Sequence, residues 1–291
     1  MIVITAASGQ LGRLTLEALL ERGVPAGRIR AAVRDRAKLA DFAARGVEVV
    51  EADYADKESL VKALAGAEKF LLISSVGSNE ERLAQHLTAV AAAREAGVGH
   101  ILYTSIPEAQ TNPIGFASVH KDTEEAIRDS GLPFTFLRNN WYFENTTASL
   151  GAALEHGAII GSAGEGRIGY ATRADYAEAA AAVLASEGHE GKAYELTGDV
   201  AITQAELAAE VSRQSGKEVR FQNLSEADYR QALEGFGLPP FLAEALAEAD
   251  ARIAEGALAK TTDTLSKLIG RPTTTPVEAV EQALAALATS R

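Results

Sequence analysis

The residues with the clearest chemical potential follow the first apolar run: Thr5-Ala6-Ala7-Ser8-Gly9-Gln10-Leu11-Gly12, leading into an amphipathic stretch. Small residues at a strand-to-helix turn let the backbone approach an anion, and the N–H groups of the new helix point at it. Gly9 and Gly12 take the second and third places of a G-x-x-G-x-x-G pattern, with Ala6 in the first. The chemistry this allows is binding of a pyrophosphate by the backbone of Ala6, Ala7, Ser8, Gly9, Gln10, Leu11 and Gly12. The alternative is an ordinary turn.

About twenty residues further on, where such a site meets an adenosine ribose, the chain reads Val33-Arg34-Asp35-Arg36, with Lys38 one turn on. A carboxylate there would bind two ribose hydroxyls. Arg34, helped by Arg36 or Lys38, instead suits a 2′-phosphate. The charge pattern therefore points to NADPH rather than NADH, with Asp35 as a helix cap. Asp53 and Tyr54, after the third strand, are candidates for the adenine edge and face, or form a polar turn. Ser74, Ser75 and Val76 follow the fourth strand, where carboxyl ends of strands bind ligands, and are candidates for the nicotinamide half.

Elements that hold such a site in place are legible over the first 140 residues. Strand-like runs at 2–5, 29–34, 47–51, 69–74, 100–104 and 133–138 alternate with helix-like segments at 10–22, 36–45, 57–65, 80–96 and 116–130. The strands are continuous apolar runs, as expected when both faces are buried. Repeated β-α units of this kind predict an α/β fold, a Rossmann-type doubly wound parallel sheet. Beyond residue 140 the alternation loosens. Strands are expected at 158–160 and 192–196, and helices at 173–186, 203–215, 225–235, 241–255 and 276–288. The predicted organisation is a dinucleotide-binding domain at 1–140 and a smaller, mainly helical substrate lobe at 141–291 that returns elements to the main sheet.

Composition narrows the class of partner. The net charge of −12 disfavours nucleic acid and anionic lipid. Cysteine is absent, which removes thiolate metal sites, disulfides and cysteine nucleophiles. Met1 leads straight into a strand, no signal peptide is recognisable, and the longest apolar runs are too short to span a bilayer. A cytoplasmic protein, with no membrane or nucleic-acid partner and possible homodimerisation, is the expectation. His86, His100, His156 and His189 show no paired metal spacing with carboxylates, so no zinc site is expected.

Taken together, these segments resemble the NmrA-like, atypical short-chain dehydrogenase/reductases, including their quinone-reducing and triphenylmethane-dye-reducing members. The resemblance covers essentially the whole chain. It rests on Ser8-Gly9-Gln10-Leu11-Gly12, Val33-Arg34, Ala52-Asp53-Tyr54, Leu72-Ile73-Ser74-Ser75 and Leu137-Arg138-Asn139-Asn140-Trp141-Tyr142. It continues in Ala171-Thr172-Arg173-Ala174-Asp175-Tyr176, Gln222-Asn223-Leu224-Ser225 and Leu268-Ile269-Gly270. By resemblance, Arg138, Asn139, Asn140, Trp141, Tyr142 and Phe143 line the cofactor and substrate cleft, and Gly169 contacts the cofactor. The family carries glycine where this chain has Ala6.

None of the seven tyrosines is followed by lysine four residues later, so the Tyr-x-x-x-Lys proton donor of ordinary short-chain dehydrogenases is missing. A quinone tolerates that, because hydride addition yields a stabilised aromatic anion that water can protonate. A triphenylmethane cation needs hydride alone. What remains for the protein is positioning. His120 lies where plant relatives carry a catalytic lysine. It is either a donor to the reduced oxygen or a helix histidine with a structural hydrogen bond. Asn139 and Asn140 are candidates for the carboxamide or quinone oxygen, or for a turn. Trp141, Tyr142 and Phe143 either stack on a flat acceptor or belong to the core. The expected activity is NADPH-dependent hydride transfer to a quinone or similar planar aromatic acceptor. The alternatives are an NAD(P)-binding redox sensor without turnover and a tailoring reductase on an aromatic metabolite.

Overall fold

The computed structural model describes residues 1–289. In chain order the first elements are β1 (Ile2–Ile4), α1 (Gln10–Glu21), β2 (Ile29–Val33), α2 (Ala40–Ala44), β3 (Glu48–Glu51), α3 (Lys57–Leu64), β4 (Lys69–Leu72), α4 (Asn79–Glu95), β5 (His100–Ser105), α5 (Ala117–Asp129) and β6 (Phe134–Asn139). There follow α6 (Phe143–Thr147), α7 (Leu150–His156), β7 (Ala158–Gly161), β8 (Arg167–Ile168), α8 (Arg173–Ala185), β9 (Lys192–Leu196) and β10 (Ile202–Thr203). The last are α9 (Gln204–Ser215), β11 (Arg220–Asn223), α10 (Glu226–Gly235), α11 (Pro240–Ala254), α12 (Thr264–Ile269) and α13 (Pro276–Thr289).

A seven-stranded sheet has the order β3-β2-β1-β4-β5-β6-β9, and its first six strands pair in parallel. This is the doubly wound α/β fold that the alternating runs predicted, with the order reversing between β1 and β4. Every residue of β4 and β5 is buried, which is why their sequences are continuous rather than alternating. Val3, Phe70, Ile101, Tyr103 and Phe136 lie in one packed cluster with the inner faces of α3 and α4.

The chain forms two compact units. The first comprises residues 1–110, 117–139 and 176–195, and the second 111–116, 140–175 and 196–291. A buried cation ties residues 176–195 into the first unit: Lys69 Nζ donates to the carbonyls of Val183 and Ser186 near the end of α8. A helix C-terminus favours such a cation. Residues 111–116 group with the second unit, where Gly115 N–H donates to Glu248 at 2.9 Å and Phe116 stacks on Trp141. That small excursion carries no periodicity and is invisible in the sequence. In the second unit β7 pairs in parallel with β11, β8 pairs antiparallel with β10, and helices make up most of the remainder. The short elements α6, α7, α12, β8, β10 and β11 were not anticipated, being too brief to show a period. No helix among the described residues is long and apolar enough to cross a membrane.

Candidate functional site

The loop from Thr5 to Gly12 is built by close backbone packing. Gly9 N–H donates to Ala6 O at 2.9 Å. A Cβ at Gly12 would come within 2.6 Å of Ala6 O and 2.7 Å of Ala7 Cα, so only glycine lets α1 approach β1 this closely. Ala7 is buried and its N–H points to Ala32 O of β2, so that amide serves the sheet. The N-terminus of α1 has no side-chain cap, unlike α3, α4, α9 and α10, which are capped by Asp56, Ser78, Thr203 and Ser225. The uncapped N–H groups of the first turn of α1, beside the exposed Gly9-Gln10 turn, are of the kind that can hold an anion.

Ala6 has φ +50°, a left-handed conformation that costs an L-residue about 1–2 kcal/mol. Glycine at this position would remove that strain. Ala6→Gly is expected to raise stability by about 1 kcal/mol, read from denaturant midpoints at unchanged slope. A destabilised variant would show that the methyl group is packed favourably.

At the end of β2, Arg34, Arg36 and Lys38 are exposed, and Arg34 has no hydrogen-bond or ion-pair partner among the described residues. Asp35 accepts from Ala37 N–H at 3.0 Å through Oδ1, as the cap of the following turn. Asp53 accepts from Ala55 N–H and thus makes the polar turn. The Tyr54 hydroxyl is buried between Thr5 Oγ1 and Ile73 O, each at 2.6 Å, leaving only the ring to meet a ligand. In the β4–α4 loop Val76 is 83% exposed, an apolar side chain presented at the carboxyl ends of the strands.

Behind that loop lies a buried polar network. Ser74 N–H donates to Thr104 Oγ1 at 2.8 Å, and Ser75 N–H donates to His86 Nε2 at 3.0 Å. Arg82 Nη2 lies 3.0 Å from Ser74 Oγ and 3.1 Å from His120 Nε2. A guanidinium only donates, so His120 Nε2 accepts and the ring proton sits on Nδ1, 2.9 Å from the Tyr103 hydroxyl. Burial, then the neighbouring Arg82, holds His120 well below its ordinary value and His86 down to about 3. Burial pushes the Tyr103 hydroxyl up. His120 is therefore neutral, with its lone pair engaged by Arg82 and its proton directed to Tyr103. Of its two readings, this geometry matches the structural hydrogen bond.

The sign of the resulting pH dependence is fixed. An unfolded histidine binds a proton below about 6.5, whereas native His86 stays neutral to about 3. The unfolded state holds more protons between these values, so the histidine term removes stability as pH falls. Asp250, raised to about 6 by burial, works in the opposite direction, losing stability as pH rises between its unfolded value and 6. His86→Gln is thus expected to flatten the acid limb by about 1.4 kcal/mol per pH unit between roughly pH 6 and 4. Denaturation series at several pH values check this; an unchanged limb would mean that native His86 titrates normally.

Several other candidate ligand contacts are committed to the protein itself. The Arg138 Nε and Nη2 grip Glu124 at 2.9 and 2.7 Å, and Nη1 reaches Glu195 at 2.7 Å. The Asn140 side chain donates to Leu258 O and accepts from Trp141 N–H. Phe143 is buried and stacked on Tyr170 with centroids 4.8 Å apart, which makes it core. Gly169 is tightly packed: a Cβ there would lie 3.0 Å from Asn140 Nδ2 and 3.1 Å from Lys260 O. Asn139 is buried at the end of β6. Trp141 and Tyr142 are half-buried, and the Arg173 guanidinium lies 4.8 Å from the Tyr142 ring centroid. His86 and Arg82 were missed as site residues, because nothing in the spacing of α4 marks which of its polar side chains turn inward.

A doubly wound sheet with an uncapped glycine-rich helix start at the β1 end defines a dinucleotide-binding class of protein. The chain belongs to the NmrA-like family, whose profile matches residues 1–275. It is 53% identical over 282 residues to quinone oxidoreductase 2 of Escherichia coli strain K12, covering 96% of this chain and 97% of that protein. The crystal structure of the E. coli NADPH-dependent quinone oxidoreductase complexed with NADPH superimposes with a TM-score of 0.93 at 52% identity, covering 98% of this chain and all of that one. Triphenylmethane reductase of Citrobacter sp., complexed with NADP(H), gives a TM-score of 0.92 at 43% identity, covering 97% and 100%.

Proposed function

We propose that the protein is an NADPH-dependent reductase that passes hydride to a quinone or a similarly flat acceptor. The carrying observation is the pairing of an uncapped α1 N-terminus, reached through the Ala6–Gly12 packing, with the exposed Arg34 at the end of β2. These residues fit the dinucleotide. The amides of the loop suit a diphosphate, and Arg34 with Arg36 or Lys38 suits a 2′-phosphate. Tyr54 and Asp53 flank the adenine region, and Ser74, Ser75 and Val76 serve the nicotinamide half, where Val76 offers apolar surface. The bound cofactor supplies hydride. Agreement with a quinone reductase and a dye reductase, both solved with this cofactor, supports the reading.

The choice of acceptor follows from the acids available. His120 carries no proton on the nitrogen that faces Arg82, and the Tyr103 hydroxyl is buried and held above its usual range. The residues around the β4–α4 loop thus bind and orient, and an acceptor whose reduced form needs no protein acid is the one they suit. Asn139 remains the candidate hydrogen-bonding contact, and Tyr142 the aromatic one. NADPH oxidation with a benzoquinone panel under anaerobic conditions tests the reading. Turnover is expected, and a rate no greater than that of heat-treated protein would remove it.

A further inference from the structure

His86 sits on α4, fully buried, with both ring nitrogens committed. Nε2 faces the Ser75 amide, which can only donate. Nδ1 lies 2.9 Å from Thr123 Oγ1, whose own proton goes to Val119 O at 2.7 Å. Both neighbours impose the same answer: Nε2 accepts and Nδ1 carries the proton. The ring is a one-way connector whose donors run from the backbone of the β4–α4 loop to α5. That loop is pinned at its far end by the Ser78–Glu81 capping box and at its near end by Ser74 on Thr104. Its middle, next to the exposed Val76, is held by the Ser75 amide on His86 Nε2, with the Ser75 hydroxyl 3.3 Å from the same nitrogen.

We propose that His86 is a positioning residue that, through a fixed Nδ1–H tautomer, sets the backbone of Ser75 and Val76 for the nicotinamide half of the cofactor. This rests on the NADPH reading, and deepens it by assigning the loop's shape to a side chain that touches no ligand. Burial and the nearby Arg82 keep the ring neutral at working pH, as the contact requires.

The prediction separates the two halves of the cofactor. His86→Leu deletes both contacts. Thr123→Val removes the Nδ1 acceptor from a distance and frees the ring to turn its proton toward Ser75. Both variants are expected to weaken NADPH about tenfold while leaving 2′-phosphoadenosine 5′-diphosphate, which lacks nicotinamide, within twofold; ~1.4 kcal/mol corresponds to that factor of ten. Amide exchange at Ser75 is expected to accelerate in both, and His86→Gln, whose carbonyl can accept from Ser75, is expected to recover most of the loss. Nitrogen NMR of the labelled wild-type protein should give a neutral Nδ1–H ring for His86. A charged ring or the Nε2–H tautomer would overturn the inference without any variant. So would equal weakening of NADPH and the fragment, or NADPH binding by His86→Leu within twofold of wild type. Failure of the wild-type protein to bind NADPH at all would instead remove the functional reading, while the ring's tautomer and the Ser75 exchange still decide whether His86 holds the loop.

Discussion

Arg34→Ala is expected to weaken NADPH by ten- to a hundredfold and to leave NADH within twofold. A guanidinium hydrogen-bonded to a phosphate contributes about 1.5–3 kcal/mol, which spans that range. The size of the effect depends on whether the arginine is free to bind. It is exposed and makes no ion pair among the described residues, and the adjacent Asp35 directs one carboxylate oxygen to its own helix cap. The variant should not alter stability, because Arg34 makes no hydrogen bond or ion pair among the described residues. Calorimetric titration with both coenzymes checks the prediction. Equal loss for NADPH and NADH would refute the assignment of the 2′-phosphate and would move the site's selectivity to Arg36 or Lys38.

The second large effect concerns stability. Glu124 is wholly buried and receives Ser105 Oγ at 2.7 Å, the bidentate Arg138 at 2.9 and 2.7 Å, and Arg128 at 3.2 Å. Glu195 holds the third side of the Arg138 guanidinium. Burial acts to lower the Arg138 pKa, but the hydrogen bonds it donates to the two carboxylates outweigh it and hold it above its ordinary value. Glu124→Gln keeps the shape and removes the charge, leaving a buried cation with one carboxylate. Removing one member of a buried pair costs about 3–5 kcal/mol, a large part of the 5–15 kcal/mol that a domain typically has. A urea titration should show a midpoint shift of that size. A change below about 1 kcal/mol would mean that water replaces the lost contact, as at an exposed pair. Replacing Arg138 and Glu124 together by apolar residues of similar volume should cost much less than either alone, because the penalty comes from the orphaned charge.

These two arginines show where the sequence stopped being informative. Arg34 was identified because its position is counted along the chain from the glycine loop, and both lie in one βαβ unit whose geometry is local. Arg138 belongs to a segment assigned to the cofactor by family resemblance, yet its partner Glu124 lies on the preceding helix and Glu195 far along the chain. The same holds for His120. Its position on α5 was legible, but whether it donates a proton depends on Arg82, which faces it from α4. Phe143 was an aromatic with two readings until Tyr170 stacked against it.

The order of strands and helices, the close-packed glycine turn before α1 and the cation following β2 were thus determined by the sequence, because hydrophobic period, glycine sterics and chain distance act between near neighbours. The tertiary structure alone decided which polar side chains remain available. Burial and partners remote in sequence set the proton on His86 and His120 and the charge balance around Arg138, and they brought the unnoticed His86 behind the loop.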